Sequence, residues 1–349
     1  MTKLPINPLL IHALTGKELD DLPQFPTHSL LPSEFLPLVL KKINHIHTPL
    51  INNEQKLICT ECEKTGTYDI GLVLYNLQKA KKNANLNPLS YTQTTGYFRC
   101  IHCNSASNWK ETTDLMLFLT TGLIQIQAGV EDDRFGLGVM VLYDGTQHQF
   151  VTDAEKYLLE KVLKKENGHI WSRLGNLYYK GNRPDLAIVA FERSLKLDPM
   201  QTESLFNIGK ILMDIGELEL AASYLRKAVA SSSVYKYMKG PDLRDILTDA
   251  LSRLLELHLG SDKKIPFLPE ASDYEMITVS GENKDHPKNL TIDMDISLDH
   301  PDSLVRLAEI MMGKKRSEIP IKERTYTPNT FQNKRRKLEQ KRKRKKKKK

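Results

Sequence analysis

The sequence predicts an α+β module built around four cysteines, then an all-α array of helical hairpins, then a polar extension ending in a disordered basic tail. Three observations predict this. The cysteines form two C-x2-C pairs, Cys59/Cys62 and Cys100/Cys103, with strand-like stretches between them. From about residue 152 to 259 the apolar spacing becomes helical. Of the last sixteen residues, thirteen are Lys or Arg.

At 349 residues the chain has room for two or three domains. The expected segments are 1–56, a helix and loops; 57–150, the cysteine module; 151–260, the helical array with capping helices; 261–320, a polar extension with one helix; and 321–349, the tail. In the first, "PSEFLPLVLKKINHI" places Ser33 and Glu34 ahead of a helical stripe of Phe35, Leu38, Leu40 and Ile43, and the remainder reads as packing loops. In the second, "TYDIGLVLYNL" and "YTQTTGYFR" have strand character. "QKAKKNANLNPLS" reads as a polar loop, 113–126 as a helix, and "LGVMVLYDGTQ" as a strand closed by the turn dipeptide Asp144-Gly145. In the third, Asp153 is an expected N-cap for "AEKYLLEKVLKKENG" and Gly168 its stop, while "PDLRDILTDALSRLLELHL" supplies a closing helix. In the extension the helix is "DSLVRLAEIMMG".

The net charge of +8 is uneven. Residues 334–349 carry +12, which leaves −4 for the rest. The body is mildly acidic, and any polyanion affinity belongs to the tail. No stretch reaches the ~18 apolar residues a membrane span needs, because Thr120, Thr121, Gln125 and Gln127 interrupt the closest approach. No secretory signal precedes the chain's first polar segment, and a cytoplasmic location is expected.

Paired C-x2-C spacing lets one turn present two sulfurs to one ion. Four thiolates, Cys59, Cys62, Cys100 and Cys103, suit a closed tetrahedral site for structural zinc. The 37 residues between the pairs exceed the usual gap, an excess the 78–90 insert would absorb. Asn104 tolerates the left-handed conformation that a knuckle uses, and Glu63 fits it less well. The module resembles a zinc ribbon in these features. His102 reads as an outward side chain. Tyr97, Phe98, Arg99, Trp109 and Lys110 could present aromatic and basic groups to nucleic-acid bases, or pack on a neighbouring domain.

Beyond Gly168, Trp171, Leu174, Gly175 and Tyr178 are spaced as on one helix face. Ala187, Phe191, Ser194 and Pro199 follow the turn "KGNRP". This matches the pattern W-x2-L-G-x2-Y…A-x3-F…P with a period of about 34. The segment therefore resembles the tetratricopeptide (TPR) repeat. One period on, Leu205, Ile208, Gly209 and Leu212, then Ala221, Leu225 and Ala228, keep the small-residue skeleton, with Ser233 where the proline should stand. The resemblance implies buried roles for Trp171, Tyr178 and Phe191. It also implies a non-catalytic adaptor that binds a protein or peptide on the exposed face of each first helix. The candidate residues there are Arg173, Asn176, Tyr179 and Lys180, then Phe206, Asn207, Lys210 and Met213. Ser172 stands where a carboxylate clamp wants Lys, which points to a general peptide groove.

In the tail, Lys334, Arg335, Arg336, Lys337, Lys341, Arg342, Lys343 and Arg344 would neutralise phosphates of RNA or DNA without reading sequence. The second expectation is accordingly an RNA- or ribosome-associated factor acting through ribbon and tail. No G-x-S-x-G, H-E-x-x-H or Walker motif is present, and no enzyme activity is expected.

Overall fold

A computed structural model describes residues 5–82, 87–106, 108–279, 296 and 301–325. Of the tail expected to be disordered, residues 321–325 are described and hold a short 3-10 turn at Ile321–Glu323, while the rest of it, with all its candidate polyanion residues, lies outside the described residues. By contacts the chain forms two units, Met1–Pro199 with Ile211–Glu217, and Met200–Lys210 with Leu218–Lys349.

The first unit opens with helix α1 (Pro8–Thr15), where the sequence suggests only loops. The signals are nonetheless local: the Asn7 side chain accepts from Leu9 N, Pro8 opens the first turn, and Gly16 ends it at φ 72°. Helix α2 (Leu36–Lys41) occupies the predicted stripe. Strand β1 (Glu54–Cys59) pairs antiparallel with β2 (Thr65–Asp69) and with β5 (Trp109–Glu111), giving the order β2-β1-β5. A second sheet has the order β4-β3-β6, from β3 (Val73–Tyr75), β4 (Thr92–Thr94) and β6 (Phe135–Leu137). Helix α3 (Leu77–Lys82) lies between β3 and β4, so the insert between the cysteine pairs is partly helical and not simply a loop. Helix α4 (Thr113–Gln127) packs on the sheets. A Cβ on Gly122 would lie 2.4 Å from the Phe135 ring, so only glycine admits this approach.

The strand expected over 137–147 forms only as far as Leu137. Gly138 turns the chain at φ 138°, and both backbone groups of Met140 then bond to the Gln93 side chain, the N–H at 2.7 Å and the carbonyl at 3.0 Å. A side-chain amide thus takes the place of a neighbouring strand.

Helices α5 (Val151–Lys164), α6 (Gly168–Lys180) and α7 (Pro184–Leu197) complete the unit. Asp153 does not cap α5 as expected. The N-cap is Phe150, and Asp153 accepts from its N–H at 3.1 Å from three residues on. Gly168 does not stop α5, which ends at Lys164, but begins α6, where a Cβ would meet Asp198 and the Ser194 carbonyl at under 3.0 Å. Trp171, Leu174, Tyr178 and Phe191 are fully buried between α6 and α7. The Trp171 indole donates to Glu166 at 2.9 Å, and Arg193 holds the same carboxylate through two further bonds.

A buried polar network joins the N-terminal segment and cysteine module to the helices. Glu155 on α5, wholly buried, accepts from Asn7 (2.9 Å), Tyr97 (3.0 Å), Arg99 (3.2 Å) and Tyr178 (2.7 Å). Arg183 bonds both oxygens of buried Asp185 at 2.9 and 2.7 Å and donates to the Pro5 carbonyl, while His28 meets Asp185 at 2.8 Å. Charges this deep persist only when paired and fully hydrogen-bonded.

In the second unit, α8 (Thr202–Asp214, with its last turn counted in the first unit) and α9 (Leu218–Ser231) form another hairpin. Gly209 is their close contact, since a Cβ would lie 2.8 Å from Leu225. The predicted closing helix is α10 (Gly240–Gly260), packed on α9. Helix α11 (Ala271–Val279) lies against α9, where Arg226 pairs with Asp273 at 2.9 Å. Helix α12 (Pro301–Met311), also predicted, packs on α10.

Candidate metal centre and repeat face

The β1–β2 connection forms the first knuckle. Cys59 N donates to Lys64 O and Glu63 N to Cys59 O, at 3.0 and 2.8 Å. The second knuckle repeats this bonding, Cys100 N to Ser105 O and Asn104 N to Cys100 O, at 2.7 and 2.8 Å. Glu63 and Asn104 occupy equivalent left-handed positions, φ 58° and 59°. Strand β5 joins the two turns through the Cys59–Trp109 pair in its register with β1.

The four sulfurs lie within 4.8 Å of one another, with Cys59–Cys103 and Cys62–Cys100 at 3.6 Å. Tetrahedral zinc with Zn–S bonds of about 2.3 Å has sulfurs about 3.8 Å apart, so the set fits that ion. The Ser105 hydroxyl lies 3.1 Å from the Cys59 sulfur and 3.3 Å from that of Cys103, placed to donate to a thiolate. Burial alone would raise the Cys59 thiol, but the Ser105 bond and the knuckle amides bring it down to about 7. At Cys62 the Lys64 amide favours the thiolate, but burial and the other three sulfurs outweigh it and push the thiol up to about 12. So many thiolates cannot coexist without a cation among them. His102 is exposed, with Nε2 3.3 Å from the Thr65 carbonyl, and takes no part.

The proposed stacking surface is absent. Tyr97, Phe98, Arg99 and Trp109 are buried, and only Lys110 is exposed. The Phe98 and Trp109 rings lie 5.1 Å apart inside the module, tilted at 58°, and Tyr97 packs edge-on to Tyr178 of α6 at 5.6 Å. Phe98 and Trp109 belong to the module's apolar core, and Tyr97 is covered by α5 and α6.

On α6, Arg173, Asn176 and Lys180 line one wall of a cleft of about 260 Å³, opposite Met140–Tyr143. Tyr179 is elsewhere, buried, with its hydroxyl donating to the His47 carbonyl at 2.6 Å. In the second unit Phe206 is buried, while Asn207 and Lys210 are half-buried. The buried Glu155 and Arg183–Asp185 groups escape sequence reading, though one positive-φ residue, Asn182, does mark the turn before Arg183.

His169, in the first turn of α6, is held down to about 4, first by burial and then by the charge of Arg173. A histidine that stays neutral when folded stabilises fully above its ordinary value of 6.5, and that stability is lost as pH falls toward 4. We expect the thermal midpoint to drop over this interval, and the drop to shrink in His169→Gln. An unchanged slope in that variant, measured by calorimetry, would show that other groups carry it.

Residues 170–200 and 202–234 each match the tetratricopeptide repeat family. Among curated proteins none matches the chain. No helix among the described residues is long and apolar enough to cross a membrane. With the small-residue contacts at Gly175 and Gly209 both formed, residues 170–234 are two tetratricopeptide repeats, and a four-cysteine, zinc-ribbon-like module lies ahead of them in the chain.

Proposed function

We propose that this protein is a non-catalytic adaptor that holds a protein or peptide segment on its repeats, with a structural zinc at Cys59, Cys62, Cys100 and Cys103. The observation that carries the adaptor role is the pair of formed repeats, a scaffold whose exposed first-helix faces are free to vary while its seam stays fixed. The zinc would bind the two knuckles together and so keep the module's aromatic core in place against α6. Four cysteines in metal-type pairs support a reducing, cytoplasmic setting.

The RNA- or ribosome-associated reading rests on the tail's charge alone, since the ribbon aromatics it would use are buried. Affinity capture with and without nuclease separates the two. Partners should survive nuclease and also survive removal of residues 331–349. Partners that vanish under nuclease would overturn the adaptor reading in favour of the tail.

A further inference from the structure

A second cleft, sharing no residue with the one beside α6, is lined by the N-terminal segment, both knuckles and α5. Its volume is about 710 Å³, inside the ~300–1,000 Å³ range of ligand sites. Pro8, Leu9, Leu19, Leu22 and Pro23 give it an apolar lining, and Arg99 lines it too. The Arg99 side chain is 9% exposed. Its Nε–H is shared by the main-chain and side-chain oxygens of Asn104, both at 3.0 Å, and Nη1 donates to Glu155 at 3.2 Å. Nη2 donates to no described residue, and the protein does not seal it from solvent. A guanidinium N–H this deep in a folded chain calls for an acceptor.

The donor is fixed before anything binds. Asn104, which orients Nε, itself donates to the Ile6 and Gln24 carbonyls at 2.9 and 2.6 Å. A group already held in place loses little entropy on binding. The charges around the cleft then decide what kind of acceptor suits it. Glu155 already answers the Arg99 charge. Lys156 lines the cleft together with two acids, Glu61 and Asp153. An anionic occupant would meet both carboxylates, and a cationic one would meet Arg99 and Lys156. An uncharged acceptor avoids both penalties. A peptide main chain supplies such an acceptor at every residue, its carbonyl, beside a side chain that can be apolar.

We propose that this cleft binds an uncharged peptide segment, whose main-chain carbonyl accepts from Arg99 Nη2 and whose apolar side chain packs on Leu9, Leu19 and Leu22. The site lies on other residues than the repeat face and goes beyond the adaptor reading. It gives the chain a second point of attachment, on the cysteine module and the segment before it.

The test is selection from a random peptide library displayed within a coat protein, so that no terminal charge is offered. The baits are the full chain and its Leu19→Asp, Arg99→Lys and Lys156→Glu variants, with thermal melting as the check on folding. Leu19 and Lys156 are exposed, so their variants should fold. The native bait should enrich peptides with an apolar residue in an uncharged run. Leu19→Asp should bind them about tenfold more weakly. Arg99→Lys should do the same, since lysine keeps a cation beside Glu155 but has no planar fork to put an N–H where Nη2 stands. Lys156→Glu leaves acids alone around the cleft and should select peptides with Lys or Arg, a swap that misfolding cannot imitate. Should Arg99→Lys fail to fold, Leu19→Asp and this swap decide the matter. Enrichment of Asp or Glu by the native bait, binding unchanged in Leu19→Asp, or no peptide selected at all would overturn the assignment. So would a native chain that self-associates in sedimentation and becomes monomeric in Leu19→Asp, which would give the cleft to a second copy. If binding falls in Lys210→Glu, on α8, and not in Leu19→Asp, the adaptor reading stands and this assignment falls.

Discussion

Purified protein should contain one zinc per chain, and removing it should unfold the cysteine module. Sulfurs at 3.6 Å across two knuckles would repel one another as thiolates, a repulsion that a shared cation would relieve. Apparent binding energies of structural zinc are about 10–16 kcal/mol near neutral pH, larger than the stability of most domains. A strong chelator should therefore release the Tyr68–Trp109 and Phe98–Trp109 contacts, at 4.7 and 5.1 Å, and expose Trp109. Trp171 lies inside the α6–α7 seam, so its signal should persist longer. Cys100→Ser should act as the chelator does, because Cys100 belongs to the four-sulfur cluster and is wholly buried. Elemental analysis well below one zinc per chain, with the module's near-ultraviolet dichroism intact, would remove the metal from the account.

What could be read in the sequence depended on how local the determinant was. Trp171, Gly175, Tyr178 and Phe191 are spaced by the helix itself, so their pattern survives in one dimension. The cysteine pairs are legible for the same reason, since each knuckle is a single turn. Glu63 looked a poor knuckle residue, yet the turn holds it at positive φ as it holds Asn104, so backbone bonding overrode preference. The strand over 137–147 failed differently. Its continuous apolar run, Val139 to Tyr143, resembles a strand, but pairing needs a neighbour, and Gln93 supplies bonds without one. Tyr97, Phe98, Arg99 and Trp109 read equally well as surface or core, because nothing local says what they face. Groove residues divide in the same way: Arg173, Asn176 and Lys180 do share a cleft, while Tyr179, one position away on the helix, turns to His47. The ionic network is least legible, since Asn7, His28, Arg99, Glu155, Arg183 and Asp185 come together only in the fold.

That network carries the second large expectation. Arg183→Met should destabilise the first unit by about 3–5 kcal/mol, the cost of leaving a buried carboxylate without its cation. For roughly 200 residues this lowers the thermal midpoint by about 6–20 °C. Asp185 lies at zero exposure. Burial alone would raise its carboxyl, but the Arg183 charge and the hydrogen bond from His28 outweigh burial and hold it well below the usual carboxylate range. A carboxyl depressed in the folded state stabilises fully above its unfolded value, about 4, and that contribution disappears as pH falls below it. In Arg183→Met the depression shrinks, with only the His28 interaction left to favour the carboxylate, so the difference between the native protein and the variant should narrow in acid. Replacing both partners, Arg183→Met with Asp185→Leu, should recover most of the loss, because no charge is then left unpaired. A single variant as stable as the native protein at neutral pH, or a double variant no better than the single, would show that the pair is not what anchors the N-terminal segment. The pairing also explains how a short array stands. Pro5 and His28 reach Arg183 and Asp185 at the start of α7, and Asn7 reaches Glu155 on α5, so the N-terminal segment packs against both helices and supplies neighbours that a short array lacks.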